Sequence, residues 1–230
     1  MRGLYAIVDV GVLSRRALDP LWFAEAVLTA HPAALQLRAK ELPAREIMSL
    51  LRTLAPMCHR AKVPLVANDR ADLASFAGCD MVHIGQEDIS IDLVRRLAPG
   101  LGVGISTHSL EQLQAALNAK PAYAAFGPVY ATTTKAGAVA PLGLTALGDA
   151  GAKARAANIP LVAIGGITLE VAPEVAWSAN AGAVITGLLP AGVVGPARPF
   201  DDAFREVAGR ARALQAALAP SAPLVEAAGA

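Results

Sequence analysis

The 230-residue chain is 54% hydrophobic, yet Gly, Pro or a charge interrupts every apolar run before it reaches the roughly 20 residues that a membrane span needs. The hydrophobicity therefore belongs to a buried core. Net charge is also lacking: 20 Lys and Arg stand against 19 Asp and Glu, a formal +1. No global field recruits nucleic acid or an anionic membrane, and any phosphate affinity must be local. Cysteine is scarce, and Cys58 and Cys79 lie outside any C-x-x-C pattern, which argues against a disulfide framework. No basic, apolar, cleavable leader precedes Leu4, so the expected compartment is the cytoplasm. A dinucleotide fingerprint is missing as well, since Ile7-Val8-Asp9-Val10-Gly11-Val12 offers no G-x-G-x-x-G after the first apolar run.

What is present is a repeat. Strand-like runs begin at Leu4, Ala34, Val63, Asp80, Leu101, Ala122, Pro160 and Gly182, each rich in Val, Ile, Leu and Ala, as parallel strands buried on both faces must be. Segments with helical spacing lie between them, among them 43–61, 91–98, 110–118, 144–157 and 169–179. Eight βα units in this length close most simply into one α/β domain, a single (β/α)8 TIM barrel; an open doubly wound sheet is the alternative that the missing fingerprint disfavours. The barrel is expected to span 1–218, with a last helix over about 199–218. The Ala/Pro-rich 219–230 lacks a periodic apolar face and reads as a frayed tail, and 190–199 reads as a loop. Trp22, Trp177 and Cys58 fit helix faces packing on the barrel.

Small polar clusters follow the apolar runs, where a barrel builds its active-site rim. Gln36, Arg38 and Lys40 alternate, so period two turns them one way while Leu37 and Ala39 face the helices. Arg38 offers a planar fork and Lys40 a point charge, both suited to phosphate oxygens; a surface salt bridge to Glu41 is the plainer reading. Asp69 and Asp88 close consecutive strands, which puts the carboxylates about 5 Å apart and suits Mg2+, with capping of the next helix as the competing reading. Thr132, Thr133, Thr134 and Lys135 make a donor-rich loop able to fold over an anion, or a solvated turn. Gly165-Gly166 and Thr186-Gly187 end strands seven and eight, where barrels bind phosphate through backbone N–H groups, and glycine leaves room for the anion to approach. Asn68 and Ser106 offer hydrogen bonds to a ring nitrogen, an amino group or a phosphate. His83 and His108 read as hydrogen-bonded structural histidines.

The motifs QLRAK at 36–40, ND at 68–69, HIGQED at 83–88, GIS at 104–106, FGPVYATTTK at 126–135, IGGI at 164–167 and AVITG at 183–187 occur in order. With them the chain resembles thiamine-phosphate synthases from Leu4 to Leu188. The resemblance implies condensation of 4-amino-2-methyl-5-hydroxymethylpyrimidine diphosphate with a carboxylated thiazole phosphate, releasing pyrophosphate and CO2. It implies that Gln36, Arg38, Lys40, Asn68, Ser106 and Lys135 bind the pyrimidine diphosphate, with Arg38, Lys40, Ser106 and Lys135 assisting catalysis. Asp69 and Asp88 would hold Mg2+, and Thr132, Thr134, Gly165, Gly166, Ile185 and Thr186 would receive the thiazole phosphate. The partners are then small phosphorylated molecules, with neither nucleic acid nor membrane, and a homo-oligomer is left open.

Three rivals are weighed. A thiazole tautomerase of the same superfamily would carry a histidine where this chain has Pro128. A generic phosphate-binding isomerase barrel explains the glycine pairs but needs an acid/base pair at the mouth, not paired carboxylates. A non-catalytic sensor of thiamine precursors should have lost part of the charged set, and none of it is missing.

Overall fold

The computed structural model describes residues 1–132, 140–192 and 200–219. Eight parallel strands pair in sequence order into a closed barrel: β1 Gly3–Asp9, β2 Ala34–Arg38, β3 Leu65–Asn68, β4 Met81–Ile84, β5 Gly102–Thr107, β6 Tyr123–Phe126, β7 Leu161–Ile164 and β8 Ala181–Val184. Closure comes from β8 lying beside β1 in the register Gly3↔Ala181 to Ala6↔Val184. The outer helices are α1 Val10–Ser14, α2 Pro20–Leu28, α3 Ala44–Ala61, α4 Ala71–Ala77, α5 Ile91–Leu97, α6 Leu110–Asn118, α7 Gly143–Ala156, α8 Ala172–Ser178 and α9 Phe200–Leu218. Among the described residues no helix is long and apolar enough to cross a membrane.

Period-two alternation divides the core in two. Leu4, Ala6, Val8, Leu35, Leu37 and Leu65 pack outward against the helices. Tyr5, Ile7, Ala34, Val66, Tyr123, Ala125, Val162, Ala181 and Ala183 fill the lumen. Helix starts follow local chemistry: Asp9 caps α1, Asp19 caps α2, Ser90 caps α5 and Ser109 caps α6, each side chain accepting an orphan backbone N–H. α9 straps the seam, with Gln215 Oε1 accepting the Leu4 N–H at 2.7 Å.

Several expected boundaries shift. β6 stops at Phe126, because Gly127 and Pro128 follow and Pro128 has no N–H to extend a ladder. β8 stops at Val184, and Thr186–Leu188 form a 3-10 turn instead of a strand end. α8 is a shorter helix than its apolar spacing suggests, with seven residues. The expected place of Trp177 is overturned by the helix period: Ala172 and Val175 take the barrel-facing positions, and two residues past Val175 the helix has turned Trp177 to solvent, 79% exposed. Trp22 and Cys58 do pack inward, Trp22 edge-on against Phe200 and Phe204. The expected loop lies outside the described residues over 193–199, as does the Ala/Pro-rich end from 220.

Candidate active site

The carboxyl ends of β2, β3 and β4 bring together the charged residues. Gln36 lies opposite Ile7 of β1 and is buried, with Leu37 and Ala39 turned to the helices as the alternation requires. Arg38, the last residue of β2, is paired by register with Asp9, the last of β1. Their side chains meet at 2.5 Å, Arg38 Nη1 to Asp9 Oδ2, and Asp9 is almost fully buried. Asp9 also accepts the Val12 N–H through Oδ1 at 3.0 Å, so the helix cap and the arginine clamp are one carboxylate. Sequence reasoning passed over Asp9; its signal was the strand-end position facing Arg38. Lys40 lies beyond the strand and reaches Asp69 Oδ2 at 3.2 Å, so neither cation pairs with Glu41 in the plain surface bridge.

Asp69 follows β3 directly, at φ 63°, its N–H donating to the His83 carbonyl at 2.8 Å. Asp88 does not close a strand as expected. It lies in the β4–α5 loop, which folds back so that Asp88 Oδ2 accepts the Gly85 N–H at 2.7 Å. Neither carboxylate caps a helix: Arg70 is the N-cap residue of α4 and gives no side-chain cap, and Ser90 caps α5. Burial raises the Asp69 pKa first; the Lys40 ammonium opposes this, and the neighbouring Asp88 carboxylate adds to the rise. Two like-charged carboxylates held together form a hard-oxygen donor pair. No group of three His, Cys, Asp or Glu able to hold a metal occurs among the described residues, so a cation here would complete its shell with water and substrate phosphate.

Below the rim, Gln36 Nε2 donates to Tyr5 Oη at 2.9 Å, Tyr5 Oη lies 2.6 Å from Tyr123 Oη, and His83 bridges Tyr123 Oη at 2.8 Å to Ser106 Oγ at 2.8 Å. His83 and His108 are hydrogen-bonded as expected, His108 Nδ1 to the Gly127 carbonyl at 2.6 Å. Asn68 ends β3 opposite His83, half-buried at the same rim.

Across the mouth, four strands on from β3, Gly165 and Gly166 follow β7 at φ 102° and 64°. A Cβ on Gly165 would stand 2.6 Å from Pro128 Cα, and one on Gly166 would stand 2.5 Å from the Ala131 carbonyl oxygen. The expected reason for glycine was room for an anion; the reason visible here is close approach of the protein's own loop after β6, tied down by the Tyr130 N–H donating to the Gly165 carbonyl at 3.0 Å. The N–H groups of Gly165 and Gly166 find no acceptor among the described residues. Ile185 is half-buried over the lumen cluster, Thr186 is exposed in the 3-10 turn, and Thr132 is half-buried on the β6 loop. Thr133, Thr134 and Lys135 lie outside the described residues.

The same site residues fall within a segment, 4–188, that matches the family model described as thiamine monophosphate synthase. The chain is similar to a thiamine-phosphate synthase of Roseiflexus sp. (strain RS-1), 37% identical over 190 residues, covering 82% of this chain and 78% of the relative. It is 39% identical over 204 residues to that of Anaeromyxobacter dehalogenans (strain 2CP-C), covering 88% and 85%. Among solved structures, a thiamine phosphate pyrophosphorylase from Pyrococcus furiosus superposes with a TM-score of 0.73 at 27% identity, covering 92% of this chain and 96% of that one. A family model that spans most of the barrel and relatives that align over most of their length carry the conclusion that the chain belongs to the thiamine monophosphate synthase family.

Proposed function

We propose that the chain is an Mg2+-dependent thiamine-phosphate synthase that joins 4-amino-2-methyl-5-hydroxymethylpyrimidine diphosphate to a carboxylated thiazole phosphate. One observation carries the reading: the Arg38, Lys40, Asp69 and Asp88 group stands on one side of the mouth, and the paired glycine N–H groups after β7 stand on the other. Arg38, held by Asp9, and Lys40 bind the diphosphate oxygens, with Lys135 as a further cation; Asp69 and Asp88 hold the metal. Bound Mg2+ would supply charge neutralisation on the diphosphate. Gln36, Asn68 and Ser106 orient the pyrimidine ring. Thr132, Thr134, Gly165, Gly166, Ile185 and Thr186 receive the thiazole phosphate, the backbone N–H groups meeting its oxygens.

The bond between the pyrimidine methylene and the diphosphate oxygen breaks, and its electron pair leaves with pyrophosphate. Arg38 and Lys40 stabilise that developing charge. The thiazole nitrogen lone pair then forms the new C–N bond, CO2 leaves, and the vacated carbon takes a proton. No protein nucleophile takes part, and positioning and electrostatics supply the catalysis. Two thiols without disulfide bonds fit the cytoplasm as the place of action.

The test is a discontinuous assay of the purified chain with both substrates and Mg2+, scoring thiamine phosphate and pyrophosphate. Formation of both, abolished by EDTA and restored by Mg2+, is expected. Binding of both substrates without product overturns the synthase reading, and product that survives EDTA overturns the metal.

A further inference from the structure

Gln36 and Ser106 are the two ends of one unbroken chain of hydrogen bonds through the barrel: Gln36, Tyr5, Tyr123, His83, Ser106. Its polarity follows from donor bookkeeping. The Gln36 amide nitrogen can only donate, so Tyr5 Oη accepts from it. Tyr5 is 2% exposed, and with the Gln36 amide already donating to its oxygen, its single hydrogen has, among the described residues, only Tyr123 Oη to go to. The Tyr123 hydrogen then goes to His83 Nδ1. A neutral imidazole that accepts at Nδ1 carries its hydrogen on Nε2 and gives it to Ser106 Oγ. Ser106 is left with its own O–H to donate, and Gln36 with Oε1 to accept. Reversing any one bond requires reversing all of them and turning the amide over.

The chain is built into the fold. The His83 ring stacks on Tyr123 with centroids 5.6 Å apart and planes 18° from parallel. A Cβ at residue 104 would stand 2.0 Å from Tyr123 Cζ, so Gly104 makes the space in which the phenol lies. Burial raises the pKa of both phenols, which keeps the two hydroxyl hydrogens in place.

We propose that Tyr5, Tyr123 and His83 are positioning residues that hold Gln36 as an acceptor and Ser106 as a donor, and so select a 4-aminopyrimidine over its 4-oxo counterpart. The inference rests on the synthase reading above. The exocyclic amino group gives to Gln36 Oε1 and a ring nitrogen accepts from Ser106; a 4-oxo ring sets a lone pair against the Gln36 carbonyl.

The experiment compares the pyrimidine diphosphate and its 4-oxo analogue as substrates for the wild-type chain, Tyr123→Phe and Tyr5→Phe. In both variants the KM for the amino substrate rises about tenfold and the amino-over-oxo preference in kcat/KM falls about tenfold, the worth of one buried hydrogen bond. The KM for thiazole phosphate stays within about twofold, which a general loosening of the barrel would not spare. On the unmutated chain, nitrogen NMR of His83 at neutral pH reads a neutral ring protonated on Nε2. Wild-type KM and preference in both variants, an Nδ1-protonated ring, or an imidazolium overturns the proposal. A wild-type chain that makes no thiamine phosphate from the amino substrate overturns the synthase reading with it, while the NMR result still reports the direction of the relay.

Discussion

Asp69 combines a positive φ of 63° with a carboxyl whose pKa lies above its ordinary value, through burial first and the Asp88 carboxylate in addition, against the pull of Lys40. The folded chain therefore binds this proton more tightly than the unfolded chain does. Stability from this group is gained as pH falls through the folded pKa and lost as pH rises through it, so above that pKa the ionised carboxylate costs stability, even with Lys40 beside it, until a divalent cation joins the pair. Asn tolerates the left-handed conformation and carries no charge. Asp69→Asn is accordingly expected to melt no lower than wild type in EDTA at about pH 8, and to lose the rise in Tm that Mg2+ gives the wild type. Thermal melts with and without Mg2+ check this; a variant that melts well below wild type in EDTA refutes it.

At the scale of the element, the turn after β7 and the loop after β6 are one unit, because Gly165 and Gly166 make room for residues 128–131. Gly166→Ala combines a left-handed φ with a Cβ 2.5 Å from a carbonyl oxygen, and it is expected to destabilise the fold by about 1–3 kcal/mol. The same variant should raise the KM for thiazole phosphate more than that for the pyrimidine diphosphate, which steady-state kinetics and urea unfolding together would read; equal rises, or unchanged stability, would refute the coupling. The strands were legible because a strand buried on both faces has almost no polar residues until its end, and the alternation of Gln36 and Arg38 was legible with it. Lys40 and Asp88 were less so, since both lie in turns, where period two no longer applies. Asp9 needed the register of β1 against β2, and the relay needed Tyr5, His83 and Tyr123 to meet from three separate strands. Local spacing holds no trace of contacts made between strands. Trp177 was misplaced because the buried face of α8 runs through the small residues Ala172 and Val175, and two positions further on the helix has turned to water.

At the scale of the whole molecule, closure depends on the β1–β8 seam and on α9 laid across it. The Leu4 N–H, near the start of β1 and before its ladder with β2 begins at Tyr5, is satisfied by the Gln215 side chain. Gln215→Ala leaves that donor without its partner and should cost about 1–3 kcal/mol in denaturant unfolding, with little change in kcat; an unchanged midpoint would refute the role of the strap. The same seam holds Trp22, flanked by Phe200 and Phe204 of α9, while Trp177 stands in water on α8. The chain's two indoles thus report on different things. Trp177 is expected to emit as a solvated fluorophore in the native state and to shift little on denaturation, whereas Trp22 should redden when α9 lifts away from α2. A Trp177→Phe chain would carry a single optical probe, and its emission would follow the opening of the barrel's seam.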